Sequence, residues 1–438
     1  MYCQLEILRQ CLPSSVKRFL DELPESLDDT YERMLREIKK PNRDHVQRVM
    51  QCLLVAIRPL RVGELAEVLA VDFEDAGGVP KLKPNWRLGD QEQALLASCS
   101  SLIVIVDTGY SRVVQFAHFS VKEYLTSSRV ATSSQDISRY HIALEPAHTI
   151  LAQACVSVLL QLPDLDEEDD IETNSPLAEY AAEYWVRHAQ FEDVVSRIKG
   201  MEYLFDSDKP YFATWLLFHD IDYHSFHSVF PGFVTYEKSV ELAPLYYAAL
   251  CGFRNLVEQL IVKYPEHVNA ICGLSGTPAV AALAGRHFEV AQILHRSGSS
   301  VDLRCRLGTS PLHRAAYVGN CELIQVLLDY GVEVDAQDTN RMTPLANAAY
   351  RHPRAVRLLL CHGADPNAQS DRQPPYVLET PLYRAIEGSG RIDIVRPLLE
   401  HGASVEVKNG DGKTPLDVAA GRGQYEIVKL LSEHGTKR

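Results

Sequence analysis

Several stretches of the sequence hold residue types that could do chemistry. His219, Asp220, Asp222, His224 and His227 crowd into one short segment and could ligate a metal. Their spacing follows no zinc pattern, in which paired ligands are separated by a longer spacer. An aromatic and polar packing segment at a helix-to-loop junction accounts for them better. Asp166, Glu167, Glu168, Asp169 and Asp170 could attract calcium. A calcium loop alternates its ligands and bends at a glycine, so this run reads as a solvated loop. Gly410-Asp411-Gly412-Lys413-Thr414 imitates a phosphate-binding loop, but the first glycine such a loop needs falls at Val407. Gly273-Leu274-Ser275-Gly276 falls short of a G-x-S-x-G nucleophile elbow. His118, with Phe116 and Phe119 nearby, reads as a core or interface histidine rather than a base. No paired carboxylates, Cys–His pair or cofactor fingerprint stands out. The expectation is a non-enzymatic protein with no catalytic residue, metal or cofactor.

Bulk properties narrow the class further. The chain has 438 residues, 46% of them apolar, enough for two to four domains with their own cores. Its net charge of −14 argues against general binding to nucleic acid or anionic membrane. Its ten cysteines form no C-x-x-C pair and sit mostly among apolar neighbours, such as Cys52 before Leu53 and Cys155 before Val156. They read as small buried hydrophobes in a reducing compartment. Residues 1–10 contain no continuous apolar core of a signal peptide. The longest apolar runs, such as Leu53 to Ile57, are too short to span a bilayer. A soluble cytoplasmic protein is expected, with a nuclear location still open.

The elements that position everything else are repeats. Ala243-Pro244-Leu245, Thr277-Pro278, Ser310-Pro311-Leu312, Thr343-Pro344-Leu345, Thr380-Pro381-Leu382 and Thr414-Pro415-Leu416 recur at steps of 34, 33, 33, 37 and 34 residues. Ser or Thr can cap the free amides of a helix, and Pro fits its first position because that N–H has no intrahelical partner. An alanine-rich helix follows, as at His313 to Ala316, then a short turn and an apolar helix such as Leu323 to Leu328. Glycines at 298, 331, 363, 402 and 435 stop these second helices. Polar stretches such as Asp335 to Asp338 and Asn409 to Gly412 have the chemistry of a projecting hairpin. This period and phrase resemble the ankyrin repeat. The resemblance covers 241–438, as six units starting near 243, 277, 310, 343, 380 and 414.

Residues 1–130 have a different rhythm. Helical spacing runs from Leu27 to Ile38, from Arg43 to Ile57, from Val62 to Val71 and from Gln91 to Cys99. The period then changes to that of strands at Ser101 to Val106 and Val113 to His118, separated by turn residues, and Ser120 is expected to cap a last short helix. Short helices followed by one β-hairpin suggest a winged helix. Its DNA-reading helix would be Val62 to Val71, but Glu64 and Glu67 would repel phosphates, so nucleic-acid binding is the weakest of three functional readings. Residues 131–240 read as a helical spacer, with helix at Tyr140 to Leu144, Ala147 to Leu162, Leu177 to Gln190, Phe191 to Lys199 and Tyr211 to His219. The fold class expected is mainly α: a winged-helix domain with one β-hairpin, a helical spacer and an ankyrin solenoid.

Three motifs carry a second resemblance. Glu22 to Arg33, Arg58 to Leu65 and His118 to Leu125 are similar to the region that follows the nucleotide-binding module of fungal NACHT proteins, members of the STAND class of signalling ATPases. Many of those proteins carry ankyrin repeats as sensors. The resemblance implies a sensor half. No G-x-x-x-x-G-K-[ST] occurs in the sequence, so the nucleotide-binding module is expected to be missing from it. The leading expectation is therefore a scaffold or sensor that binds a protein partner. The alternative is the regulatory half of an NTP-dependent switch whose ATPase lies upstream or on another chain.

In an ankyrin stack the hairpin tips and first helices line a concave face on which partners dock. Tyr and Arg are the usual anchors of interfaces. On that basis Arg306, Tyr317, Asp338, Thr339, Asn340, Arg341, Tyr350, Arg351 and Tyr383 are the expected contact residues. The insertion before Thr380, around Arg372 to Tyr376, is where a binding feature would be added.

Overall fold

The computed structural model describes residues 26–73, 78–87, 89–99, 102–162, 174–219, 221, 243–272, 276–302, 309–372 and 377–435. They fall into two compact units, 1–221 and 222–438. The metal-like segment lies outside the described residues except for His219 and Ile221, as do the Asp166 to Asp170 run and Gly273 to Ser275.

In the first unit, Ser26 caps the helix Leu27–Glu37 by accepting the Asp29 N–H at 3.1 Å. The helix Arg43–Val55 buries Val46, Val49, Met50 and Leu54. The strands Ile103–Asp107 and Arg112–Phe116 pair antiparallel, Ile103 opposite Phe116 and Asp107 opposite Arg112. A third strand, Leu60–Arg61, joins them through Leu60 opposite Val114. Two residues are too few to show the alternation that identifies a strand in sequence, so only the hairpin was legible. The result is mainly helical with a winged-helix arrangement at its start.

The helix Val62–Leu69 lies inside this unit. Glu64 and Glu67 are both buried, and each is met by an arginine. Arg58 reaches the Glu64 carboxylate through two nitrogens at 2.6 and 2.8 Å, and the Arg61 N–H adds a bond at 2.7 Å. Glu67 takes Arg87 at 2.5 Å and the Leu177 N–H at 2.6 Å. Burial raises the Glu67 carboxyl above its ordinary range, against the pull of Leu177 and Arg87. The helix that would have to enter a DNA groove is thus covered by protein.

Other expectations for this unit are corrected. The last helix of the winged region, Phe119–Thr126, is capped by His118, whose Nδ1 accepts the Ser120 N–H at 3.2 Å. His118 is therefore an exposed capping residue, not a core histidine, and Ser120 lies inside the helix. Residues 140–143 are turn and extended chain, because the next helix, Leu144–Leu159, starts where Pro146 can sit in its first turn. The expected helix at 191–199 shrinks to a 3₁₀ turn, Val194–Arg197, after Glu192 takes a positive φ of 45°. The helix Ala178–Ala189 buries Tyr180, Trp185 and His188, while Tyr184 stays half-buried. Trp185 packs edge-on against Trp215 at 5.3 Å, and the Trp215 indole N–H donates to the Ala182 carbonyl at 3.1 Å.

The second unit is a stack of helix pairs. Six first helices begin at Pro244, Pro278, Pro311, Pro344, Pro381 and Pro415, the six repeated prolines. Thr277, Ser310, Thr343 and Thr414 cap theirs through a side-chain oxygen. Second helices follow at Arg254–Lys263, Phe288–Arg296, Cys321–Asp329, Pro353–Cys361, Ile392–Glu400 and Tyr425–Gly435. Pro311–Val318 packs on Pro344–Ala349, which packs on Pro381–Glu387, and the second helices stack in parallel with them. Leu312, Leu345 and Leu382 lie in these layers at 0% exposure. The insertion before Thr380 forms a hairpin, Ser370–Arg372 against Val377–Glu379; residues 373–376 lie outside the described residues. Among the described residues, no helix is long and apolar enough to cross a membrane.

Candidate protein-binding surface

Each repeat ends in a turn that aims the next first helix. In the tip 338–342, the Asp338 carboxylate accepts the N–H groups of Asn340 at 2.8 Å and Met342 at 2.9 Å. The Asp338 N–H donates to Met342, and the Arg341 N–H returns to Asp338. Arg341 is held at φ 55°. The tip 409–413 repeats the geometry: Asn409 Oδ1 accepts from Asp411 at 3.1 Å and Lys413 at 3.0 Å, and Gly412 takes φ 73°. The segment that imitated a phosphate loop is therefore a repeat tip. Asp338 is spent on folding its own turn, whereas Thr339, Asn340 and Arg341 stand exposed on it.

The first helices and the residues that end them carry the other sequence-derived residues. Tyr317 and Tyr350 occupy the same position, the seventh after Ser310 and after Thr343, and both are half-buried. Arg351 is exposed, and its guanidinium carbon lies 5.2 Å from the Tyr350 ring centre. Arg384, from the next repeat, lies 5.0 Å from the same ring. Arg384 was not among the residues read from sequence. Its signal was there in the register, because it is the fourth residue after Thr380, as Arg314 is after Ser310.

Tyr383 must be withdrawn as a contact residue. It is fully buried, and its hydroxyl donates to the carbonyls of Val407 at 2.6 Å and Lys413 at 2.5 Å. Burial pushes its phenol up to about 12. The reason lies in the repeat: His313, in the equivalent place, reaches the Met342 carbonyl at 2.8 Å, and both Met342 and Lys413 immediately precede the next cap. This position ties one repeat to the tip of the next. Arg306 lies outside the described residues.

No group of three or more His, Cys, Asp or Glu that could hold a metal occurs among the described residues. Cys52, Cys99, Cys155, Cys251 and Cys272 are buried, as their neighbours suggested, while Cys361 is exposed. Burial pushes the thiols of Cys52 and Cys99 up to about 12, far from the thiolate a nucleophile needs.

Comparison with known proteins agrees with this geometry. Residues 279–370 and 372–437 match the family "Ankyrin repeats (3 copies)". Residues 31–136 match "GPI inositol-deacylase, winged helix domain". The chain is 34% identical over 289 residues to azaphilone pigments biosynthesis cluster protein L of Monascus ruber, covering 62% of this chain and 59% of that protein. It is 40% identical over 88 residues to the putative ankyrin repeat protein YahD of Escherichia coli, covering 19% of this chain and 42% of YahD. It is 33% identical over 78 residues to human cyclin-dependent kinase 4 inhibitor B, covering 18% of this chain and 53% of the inhibitor. The chain thus spans about three fifths of the Monascus relative. It carries ankyrin repeats and a winged-helix region of the GPI-inositol-deacylase type.

Proposed function

We propose that this chain is a non-enzymatic interaction protein whose ankyrin array docks a protein partner on its concave side. The winged-helix unit then couples docking to other domains or chains, as a sensor or scaffold in a STAND-like architecture. The observation that carries this reading is the set Tyr317, Tyr350 and Arg351 at the ends of two successive first helices, which stand partly or fully exposed, as the tip residues Thr339, Asn340 and Arg341 also do. Large amphipathic side chains on a rigid stack supply contact area at low entropic cost. The buried, uncrosslinked cysteines fit a reducing compartment such as the cytoplasm.

The test is affinity capture on the full chain and on an Asn340→Arg/Arg351→Glu variant, with cross-linking to map the contact. A partner held by the unmodified chain and lost by a folded variant supports the proposal. Capture unchanged by the variant, or cross-links confined to residues 26–221, overturns it.

A second reading is favoured by the winged-helix match: the regulatory half of an NTP-dependent switch with its ATPase upstream or on a partner chain. It requires an in-frame P-loop ahead of Met1 in the transcript, or capture of a P-loop protein. Finding neither removes it.

A further inference from the structure

We propose that the first-helix face around Tyr350 is a seat for carboxylate side chains, so that the docked partner presents an acidic segment. This rests on the reading of that face as the docking surface and adds the partner's chemistry.

The charge on this face opposes that of the chain. From the third repeat to the sixth, the first helices and the residues that end them carry Arg314, Arg351, Arg384 and Arg422 against Glu387 and Asp417. The Asp417 carboxylate is already engaged, accepting the Thr414 N–H at 2.9 Å and its hydroxyl at 2.8 Å. With Glu379 beside Arg384, four cations face three acids, one of them spent on its own cap, which leaves a net positive strip in a protein whose net charge is −14. Such a local reversal steers and orients an acidic partner.

Arg351 and Arg384 come from successive repeats and share one ring, at 5.2 and 5.0 Å from the Tyr350 centre. A guanidinium resting on an aromatic ring keeps its N–H edge directed away from the ring and loses less entropy when it binds a carboxylate. Arg384 is also incompletely satisfied. Its side chain is only 14% exposed, its Nε is buried without a hydrogen-bond partner, and its acid, Glu379, stands 3.9 Å away, too far for a hydrogen bond. A shielded guanidinium with a loose counter-ion gains most from a carboxylate that fits it with two oxygens.

Fluorescence anisotropy with the full chain at low salt tests this. The probes are labelled twelve-residue peptides of Glu/Asp, Lys/Arg or Ser/Gly composition, and a DNA duplex. The acidic peptide is expected to bind best, in spite of the overall negative charge. Arg351→Gln is expected to weaken it about tenfold. Arg384→Lys, which keeps the charge and removes the fork, should weaken it less. Arg357→Gln and Arg396→Gln, exposed on second helices, should leave it unchanged. Equal binding of the basic peptide, tighter binding of DNA, or no effect of Arg351→Gln overturns the proposal. The two readings fail separately. If capture maps to this face but the acidic peptide does not bind, the partner chemistry is wrong and the docking face stands. If the acidic peptide binds through Arg351 while capture maps elsewhere, the seat stands and the docking reading falls.

Discussion

His148 and His188 meet nitrogen to nitrogen, Nδ1 to Nδ1 at 2.8 Å, inside the first unit. The other ring nitrogen of His188 lies 2.9 Å from the Tyr180 hydroxyl, which accepts the Ile57 N–H at 3.1 Å. Two proton orders satisfy these contacts, either Tyr180 donating to His188 and His188 to His148 or the reverse, and in both a single proton lies between the two Nδ1 atoms. Phe191 stacks on His148 at 4.1 Å and closes the site. Protonating both rings would set two Nδ1–H donors against each other.

That relationship makes the first unit acid-sensitive. Burial, then the neighbouring His148, pushes His188 down to about 3, and burial also lowers His148. An unfolded imidazole takes its proton near pH 6.5. Between about 6.5 and 3 the unfolded chain therefore binds protons that the folded chain refuses. The contribution is complete above pH 6.5 and is lost as pH falls through this window, by roughly 1.4 kcal/mol per pH unit for each fully displaced histidine. All three tryptophans lie in residues 1–221, so urea melts followed by their fluorescence report this unit. The midpoint should fall from pH 7.5 to 5.0, and by less in His188→Gln. Equal pH dependence in the two proteins would contradict the assignment.

Arg58 and Glu64 give a second prediction. Glu64 is at 0% exposure and depends on Arg58 for its countercharge. Arg58→Met should cost about 3–5 kcal/mol, because it strands a buried charge. Adding Glu64→Gln should restore most of the loss. The same fluorescence melts decide; a double variant no more stable than Arg58→Met would show that packing, not charge, holds the helix.

Position along the array sets the cost of losing a repeat leucine. Leu345 is at 0% exposure and Leu416, its counterpart in the sixth repeat, at 36%. Leu345→Ala should cost about 2–5 kcal/mol. Leu416→Ala should cost clearly less, because fewer atoms lose their neighbours. Circular dichroism melts of the two variants compare them, and equal losses would contradict the layer assignment.

Gly319 and Gly331 separate conformation from contact. Both have left-handed backbones, at φ 78° and 80°. A methyl on Gly319 would overlap the His352 ring of the next repeat, whereas one on Gly331 would meet open space. Gly331→Ala should cost about 1–2 kcal/mol, the left-handed penalty alone. Gly319→Ala should cost more, and His352→Ala should recover part of the excess. Additive losses in that double-mutant cycle would argue against the contact.

Much of this was legible in the sequence because it is local. A proline at the first helical position, a hydroxyl before it and an apolar stripe after it act within a few residues, and their recurrence multiplied the signal. The winged helix was readable in the same way from Leu27 to Leu125, except for the two-residue strands: Leu60–Arg61, which exists only because Val113 and Val114 lie beside it, and Val71–Asp72, read as the end of a helix but paired with Lys81–Leu82.

What the sequence could not decide is where each polar side chain points. Tyr383 and Tyr350 read alike as helical tyrosines, one in each of two successive repeats. The next tip draws Tyr383 inward to the carbonyls of Val407 and Lys413, while Tyr350 receives guanidiniums from Arg351 and Arg384. Glu64 and Glu67 looked like a repellent surface and are the buried partners of Arg58 and Arg87. Sequence determines the elements, since capping and periodicity are local energies. The tertiary structure decides which side chains are left to meet a partner, since burial and pairing depend on what distant residues bring alongside.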